Sequence, residues 1–256
     1  MKELIVMATH VVTGEQTVKI SNRLAEIQRQ VFLQKEYGHD PEKLIEHLQA
    51  AIEGRFIGNG SAKSVGQNLD WWLAKTEEFA EKHLGVRVNL RERFAIPAEL
   101  PWESAIPVFD PGALTNRGMV DFALRAQGLA VWEEEDVMKY AGSEAGEAPT
   151  LHFINNSVTP DDDTMNLSPN DLRATKKSFL RLRGYGLAFA VYYFATGKYL
   201  DPKTFTWFPE DRLPGGSVAH GAWDPARREV RFYWGCAGYR SSDGGARVAM
   251  PVSLKP

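Results

Sequence analysis

Cys236 is the only cysteine of the chain. A thiolate with a base beside it would be the sharpest nucleophile the sequence offers. Nothing next to it in sequence lowers its pKa, and no histidine stands in a recognisable partner motif. One cysteine builds neither an internal disulfide nor a thiolate metal cage, so an inert thiol is expected. The six histidines, His10, His39, His47, His83, His152 and His220, include no pair at the i, i+4 spacing that places two imidazoles on one helix face for zinc. Asp161-Asp162-Asp163 with Thr164 and Asn166 offers hard oxygens of the kind calcium takes. It lacks the glycine and terminal glutamate of an EF-hand loop and reads as a solvated acidic turn after Pro160. Glu133 to Asp136 reads as a charged face. Trp71-Trp72 suggests a stacking platform for sugars or bases, but helical spacing with Leu69 and Phe79 assigns Trp72 to a core. No cofactor and no metal are expected.

The C-terminal segment from Gly215 carries a different pattern. Trp223, Val230, Phe232, Trp234, Gly245, Arg247 and Val248 look like a frame. Between them lie chemically unrelated side chains: His220, Asp224, Arg227, Tyr233, Cys236, Tyr239, Ser241 and Asp243. A fixed frame holding a miscellaneous surface suits binding better than catalysis. Val230, Phe232 and Trp234 alternate with Glu229, Arg231 and Tyr233, which puts the first set in a core and the second on the opposite face of a strand. Ala246, Val248, Met250 and Val252 are expected to alternate likewise.

The elements that must position these residues follow from pattern. The first ninety residues read as helical. Leu24, Ile27 and Val31 recur at helical period. Asp40-Pro41 opens a helix with the stripe Leu44, Ile45, Leu48, Ala51 and Ile52, ended by Gly54. After the loop at Gly58 to Ser61, a third helix carries Leu69, Trp72, Leu73, Phe79 and Leu84 and stops at Gly85. Pro97, Pro101, Pro107 and Pro111 mark a linker and irregular chain. Thr115 opens a helix ending at Gly128, Leu129–Trp132 and Thr150–Ile154 read as strands, and Ser168-Pro169 opens another helix. The fold class is α+β, with a helical region at 1–95 and a second domain at 96–256.

Composition narrows the function classes. The chain has 256 residues and is 43% apolar, enough for a sizeable core. A net charge of -3 supplies no basic field for nucleic acid. The longest apolar stretch, Gly186 to Ala195, is half of what a membrane helix requires, so no membrane insertion is expected. MKELIVMATHVV makes a poor signal peptide. A soluble chain is expected, its compartment open, with the cytoplasm as one candidate.

Several segments together resemble a known family: Tyr193 to Asp201, Thr204 to Trp207, Gly215-Gly216-Ser217-Val218, and Tyr239 to Val248 with its Gly245-Ala246-Arg247-Val248. They are similar to the C-terminal part of C-type-lectin-fold proteins of the formylglycine-generating branch, with Val218 and Ala246 where aromatic residues are usual. Within that branch the chain most resembles the variable proteins of diversity-generating retroelements, including the archaeal ones. The resemblance implies a C-type-lectin-like domain over 96–256 with a variable, ligand-binding face at about 218–244. It also implies mutagenic reverse transcription that replaces template adenines at random, so that asparagine-type AAY codons reach fifteen amino acids but never Lys, Glu, Gln, Trp or Met. His220, Ala222, Asp224, Arg227, Arg231, Tyr233, Gly235, Cys236, Gly238, Tyr239, Ser241, Ser242 and Asp243 all belong to the reachable set. Trp223, Glu229, Trp234 and Met250 do not. The partner so implied is a protein or cell-surface ligand. The enzymes of the branch use a cysteine pair, which this chain lacks. The alternatives are an enzyme on the same fold, using Cys236 or the Asp161 to Asp163 loop, and a sugar-binding lectin.

Overall fold

The computed structural model describes residues 69–134, 137–140 and 148–255. The helices expected before residue 69, the glycine loop at 58–61 and the end of the acidic run at 135–136 lie outside the described residues. The chain divides into two compact units between Ala62 and Lys63. The boundary expected near residue 95 therefore falls inside the second unit, which is an α+β assembly.

Helix α1, Leu69–Leu84, buries Trp72, Leu73, Thr76, Phe79 and Ala80, the spacing of three and four that one helix face produces. Gly85 ends it at φ +67, a conformation in which other residues are strained. Trp72 and Phe79 enter one hydrophobic cluster, while Leu73 and Ala80 enter a second with Phe94, Phe109, Phe153 and Val252. Residues 69–94 thus belong to the core of the C-terminal unit. The chain just after this stretch is also tied to the C-terminal residues: the Ala95 amide donates to Ser253 O at 2.9 Å and the Lys255 amide to Arg93 O at 2.9 Å.

Strand β1 is Ala105–Asp110, where prolines had suggested irregular chain. Pro107 is tolerated because β1 is the edge of a three-stranded antiparallel sheet in the order β1-β3-β8, with β3 at Thr150–Asn155 and β8 at Met250–Val252. Thr115 caps the helical stretch that runs to Gly128, by accepting from the Gly118 amide. That stretch is short α, then π, then 3-10. Strand β2 follows at Ala130–Glu133. Helix α2, Pro169–Ala174, carries a reciprocal capping box between Ser168 and Asp171.

Helix α3, Leu182–Thr196, is the apolar run that is too short for a membrane; it is the central core helix, buried from Tyr185 to Tyr192. No helix among the described residues is long and apolar enough to cross a membrane. It packs on a five-stranded sheet of order β2-β6-β5-β4-β7, with β4 at Phe205–Arg212, β5 at Val218–Asp224, β6 at Glu229–Gly235 and β7 at Gly244–Gly245. β4, β5 and β6 are antiparallel neighbours; β2 and β7 run parallel to β6 and β4.

Period-two burial does not extend through 246–252. Ala246, Arg247, Ala249 and Val252 are buried, with Val248 and Met250 only partly covered. Only Met250–Val252 is strand. The residues before it form a lock in which the Arg247 guanidinium donates to Asp201 Oδ1 at 2.7 Å and to the carbonyls of Ser157 and Val158.

Candidate binding face

The five-stranded sheet is covered unequally, and this creates the face. On its inner side Ala219 and Trp223 of β5 and Val230 and Phe232 of β6 are buried with Tyr185 and Phe189 of α3. Trp223 stacks on Tyr199, centroids 3.8 Å apart and planes at 4°. On its outer side the β4 end is also sealed, because Leu172, Phe179 and Ala246 bury Trp207 and Val218. Towards β6 and β2 no such cover is present among the described residues. The register aligns His220 with Tyr233, Ala222 with Arg231 and Asp224 with Glu229. These outward residues are all partly accessible.

His220 sits at the border between sealed and open halves. Its ring stacks on Tyr233 at 5.2 Å and contacts Trp207 at 4.7 Å and Phe205 at 5.0 Å. Burial pushes its pKa down to about 4, so the imidazole is neutral at pH 7. Its Nδ1 is buried without a hydrogen-bond partner. Arg231, expected to stand exposed beside Tyr233, has a side chain only 14% accessible. Its guanidinium lies 4.3 Å from the Trp132 ring centroid and 4.6 Å from that of Tyr233. It also pairs with Asp224 at 3.0 Å and Glu229 at 3.5 Å. Burial raises the Tyr233 phenol, and Arg231 opposes that shift.

Asp224 is structural rather than free. Its carboxylate accepts from the amides of Ala226 and Arg227 in the β5–β6 turn and from the guanidinium groups of Arg227 and Arg231. The Arg227 amide leads these donors in holding its pKa at about 2. Gly235 is also committed. A Cβ added there would lie 2.4 Å from the Trp207 ring, so any side chain displaces a buried indole. Gly238 has open space around it. Cys236, Gly238, Tyr239, Ser242 and Asp243 are exposed and Ser241 partly so, on a loop held by its backbone. The Asn170 amide donates to Ala237 O at 3.0 Å, Tyr239 to Cys236 O at 3.0 Å and Phe205 to Asp243 O at 2.9 Å. Arg227 is exposed at the hairpin turn and Ala222 is partly open.

Trp234 is only partly buried, because it stands near the end of β6; its amide donates to Glu134 Oε2 at 3.0 Å. Trp132 belongs to the face although its sequence position gave no such signal. Its indole is 37% accessible, and the parallel pairing of β2 with β6 brings it opposite Arg231. Only its alternation with Val131 marks it locally.

The other candidate centres disperse. Asp161 is not solvated: it is buried and accepts from the Val248 amide at 2.6 Å, with burial raising its pKa. Asp163 pairs with Lys177 at the surface. Among the described residues no group of three or more His, Cys, Asp or Glu could hold a metal. Trp72 is a core residue, stacked on Tyr192. A separate cleft of about 400 Å³ contains Asp110, His152, Arg181, Arg183 and Glu210. Its charges are paired: Arg183 with Asp110 at 2.5 Å, Arg181 with Asp211 at 2.6 Å and Glu210 with Arg173 at 3.3 Å. Burial keeps His152 below its ordinary pKa, with Asp110 opposing.

Comparison of the chain with known proteins gives no matching family model, no matching characterised protein and no matching solved structure.

Proposed function

We propose that the chain is a non-enzymatic ligand-binding protein that presents a diversified surface on a C-type-lectin-type scaffold and engages a protein or cell-surface ligand. The carrying observation is the division of β5 and β6 into two sides. Trp223, Val230 and Phe232 are locked against α3 and Tyr199, while Ala222, Arg231 and Tyr233 face an uncovered half of the sheet. Tyrosines, arginine forks and small hydroxyls are the side-chain mix of adaptable recognition surfaces. The segments that carry the family resemblance also meet in space. Asp201 from the first joins Arg247 from the last, and accepts from Thr206 Oγ1 in the second at 2.7 Å.

The deciding experiment is to sequence the DNA beside the gene. The expected result is a reverse-transcriptase gene and a near-copy of the C-terminal coding segment, with adenines at codons that differ. Neighbouring DNA without either overturns the retroelement reading.

A further inference from the structure

We propose that the cleft between the three-stranded sheet and the first turn of α3 is a binding site for a small organic carboxylate, with His152 as the residue that recognises its charged end. The cleft shares no lining residue with the outer face of β5 and β6, and the site does not depend on the function proposed above.

Shape sets the size of the occupant. The cleft holds about 400 Å³, the lower end of the range in which small ligands bury most of their surface. Val108, Phe179, Leu180, Ala249 and Pro251 give it apolar walls. A bare inorganic ion would leave those walls uncovered, so the occupant has an apolar body. Polar groups enter from β1, β3, the segment between α2 and α3, α3 itself and β4.

Hydrogen bonding decides the sign of the polar end. Asp110 spends one oxygen on the Gly112 amide at 2.8 Å and the other on Arg183 Nε at 2.5 Å. Asp211, behind Arg181, accepts from Arg181 Nε at 2.8 Å and from the Leu182 amide at 2.6 Å. Donors remain. A guanidinium carries five N–H groups, and Arg181, half accessible, meets only Asp211 among the described residues. The Lys177 ammonium is held by the exposed Asp163, a surface pair of little worth. The Gly184 amide, in the first turn of the 15-residue α3, has no acceptor among the described residues. Glu210 is the one lining carboxylate of opposite tendency, and it is half exposed and 3.3 Å from Arg173. Walls rich in unspent donors call for a ligand that accepts.

Charge favours a carboxylate over a phosphate. Arg173, Lys177, Arg181 and Arg183 balance Glu210, Asp163, Asp211 and Asp110 pair by pair. A phosphate dianion would enter without compensation, whereas a single carboxylate needs one proton, which His152 can take. His152 stands on β3 opposite Val108 of β1 and Pro251 of β8, so its ring enters the cleft between uncharged cross-strand neighbours. The ring has no hydrogen-bond partner among the described residues, and burial keeps it neutral at pH 7 against the opposing pull of Asp110. The charged groups that face it across the cleft are Asp110 of β1, Lys177 and Arg181 before α3, Arg183 of α3 and Glu210 of β4; the segment 249–251 adds none. A carboxylate beside the ring favours the imidazolium, so ligand and proton bind together.

The test titrates benzoate into the full chain and follows the histidine Cε1 protons by NMR, the His152 signal being identified by its loss in His152→Gln. Benzoate should move that signal saturably below about 10 mM. At saturation the His152 pKa should rise by at least about one unit, so that benzoate binds about tenfold or more tightly at the acid limit than at the alkaline one. Benzamide, with the same body and no charge, should bind at least about tenfold more weakly. Ser178→Trp, which adds an indole to the cleft from an exposed position, should abolish the shift while circular dichroism stays that of the folded chain. Thr150→Trp, also exposed and lining the cleft, replaces it if Ser178→Trp does not fold. No saturable shift, an unchanged His152 pKa at saturation, or equal affinity for benzamide overturns the proposal. A shift that persists in the blocked variant places benzoate elsewhere and overturns the site. Inorganic phosphate binding as tightly as benzoate overturns the assignment to a carboxylate.

Discussion

The guanidinium of Arg247 meets the carboxylate of Asp201 at 2.7 Å where neither side chain is more than 1% accessible. Asp201 stands at φ +51, an uncommon conformation for a residue with a side chain, and its other oxygen accepts from Thr206. This contact ties the chain after α3 to the segment before β8. Breaking a buried pair strands the remaining charge. Arg247→Met should therefore cost about 3–5 kcal/mol, measured as a shift in the urea unfolding midpoint. A variant within about 1 kcal/mol of wild type would refute the role assigned to this lock.

The two sides of the sheet should respond oppositely to truncation. Trp223 is buried and stacked on Tyr199, so Trp223→Ala should destabilise by about 3–5 kcal/mol. Tyr239 is 55% accessible, so Tyr239→Ala should stay within about 0.5 kcal/mol. Equilibrium unfolding of both variants checks the ranking, and a reversed order would erase the distinction between frame and display.

Acid should weaken the fold through His220. Its folded pKa is about 4 against an ordinary 6.5. Between these values the unfolded chain binds a proton that the folded chain does not, so stability falls as pH drops from 6.5 to 4 and this contribution then levels off. At about 1.4 kcal/mol per pKa unit the loss is roughly 3 kcal/mol. The measurement is the slope of unfolding free energy against pH in wild type and in His220→Phe. An unchanged slope in the variant would assign the acid sensitivity elsewhere. Asp224 acts lower, its stabilisation fading as pH falls from its ordinary 3.8 towards about 2.

Domain limits give a fourth expectation. A fragment of residues 63–256 should fold cooperatively, because it retains Trp72 and Phe79 in one core cluster and Leu73, Ala80 and Phe94 in another. A fragment starting at residue 96 lacks all five and should behave as a molten or aggregated chain. Circular dichroism melts of the two fragments decide this. Two equally sharp transitions would restore a boundary near 95.

The sequence by itself determined the elements whose signals are local. Leu69–Leu84 is marked by its apolar period, the Ser168 and Thr115 caps by side chains that satisfy amides within one turn, and the sides of β6 by alternation from Val230 to Tyr233. These depend on neighbours three or four residues away at most. Tertiary structure alone decided matters that depend on distant partners. Pro107 lies in a strand because β1 is a sheet edge. The Arg231 side chain is largely covered because parallel pairing lays Trp132, from a distant part of the chain, beside it. Gly235 is bound to the frame because Trp207 of another strand occupies the space of its side chain. Asp161 and Arg247 are buried because the segments around them fold over each other and supply hydrogen bonds. No local pattern distinguishes such residues from solvated ones, since the groups that pair with them come together only when the whole unit closes.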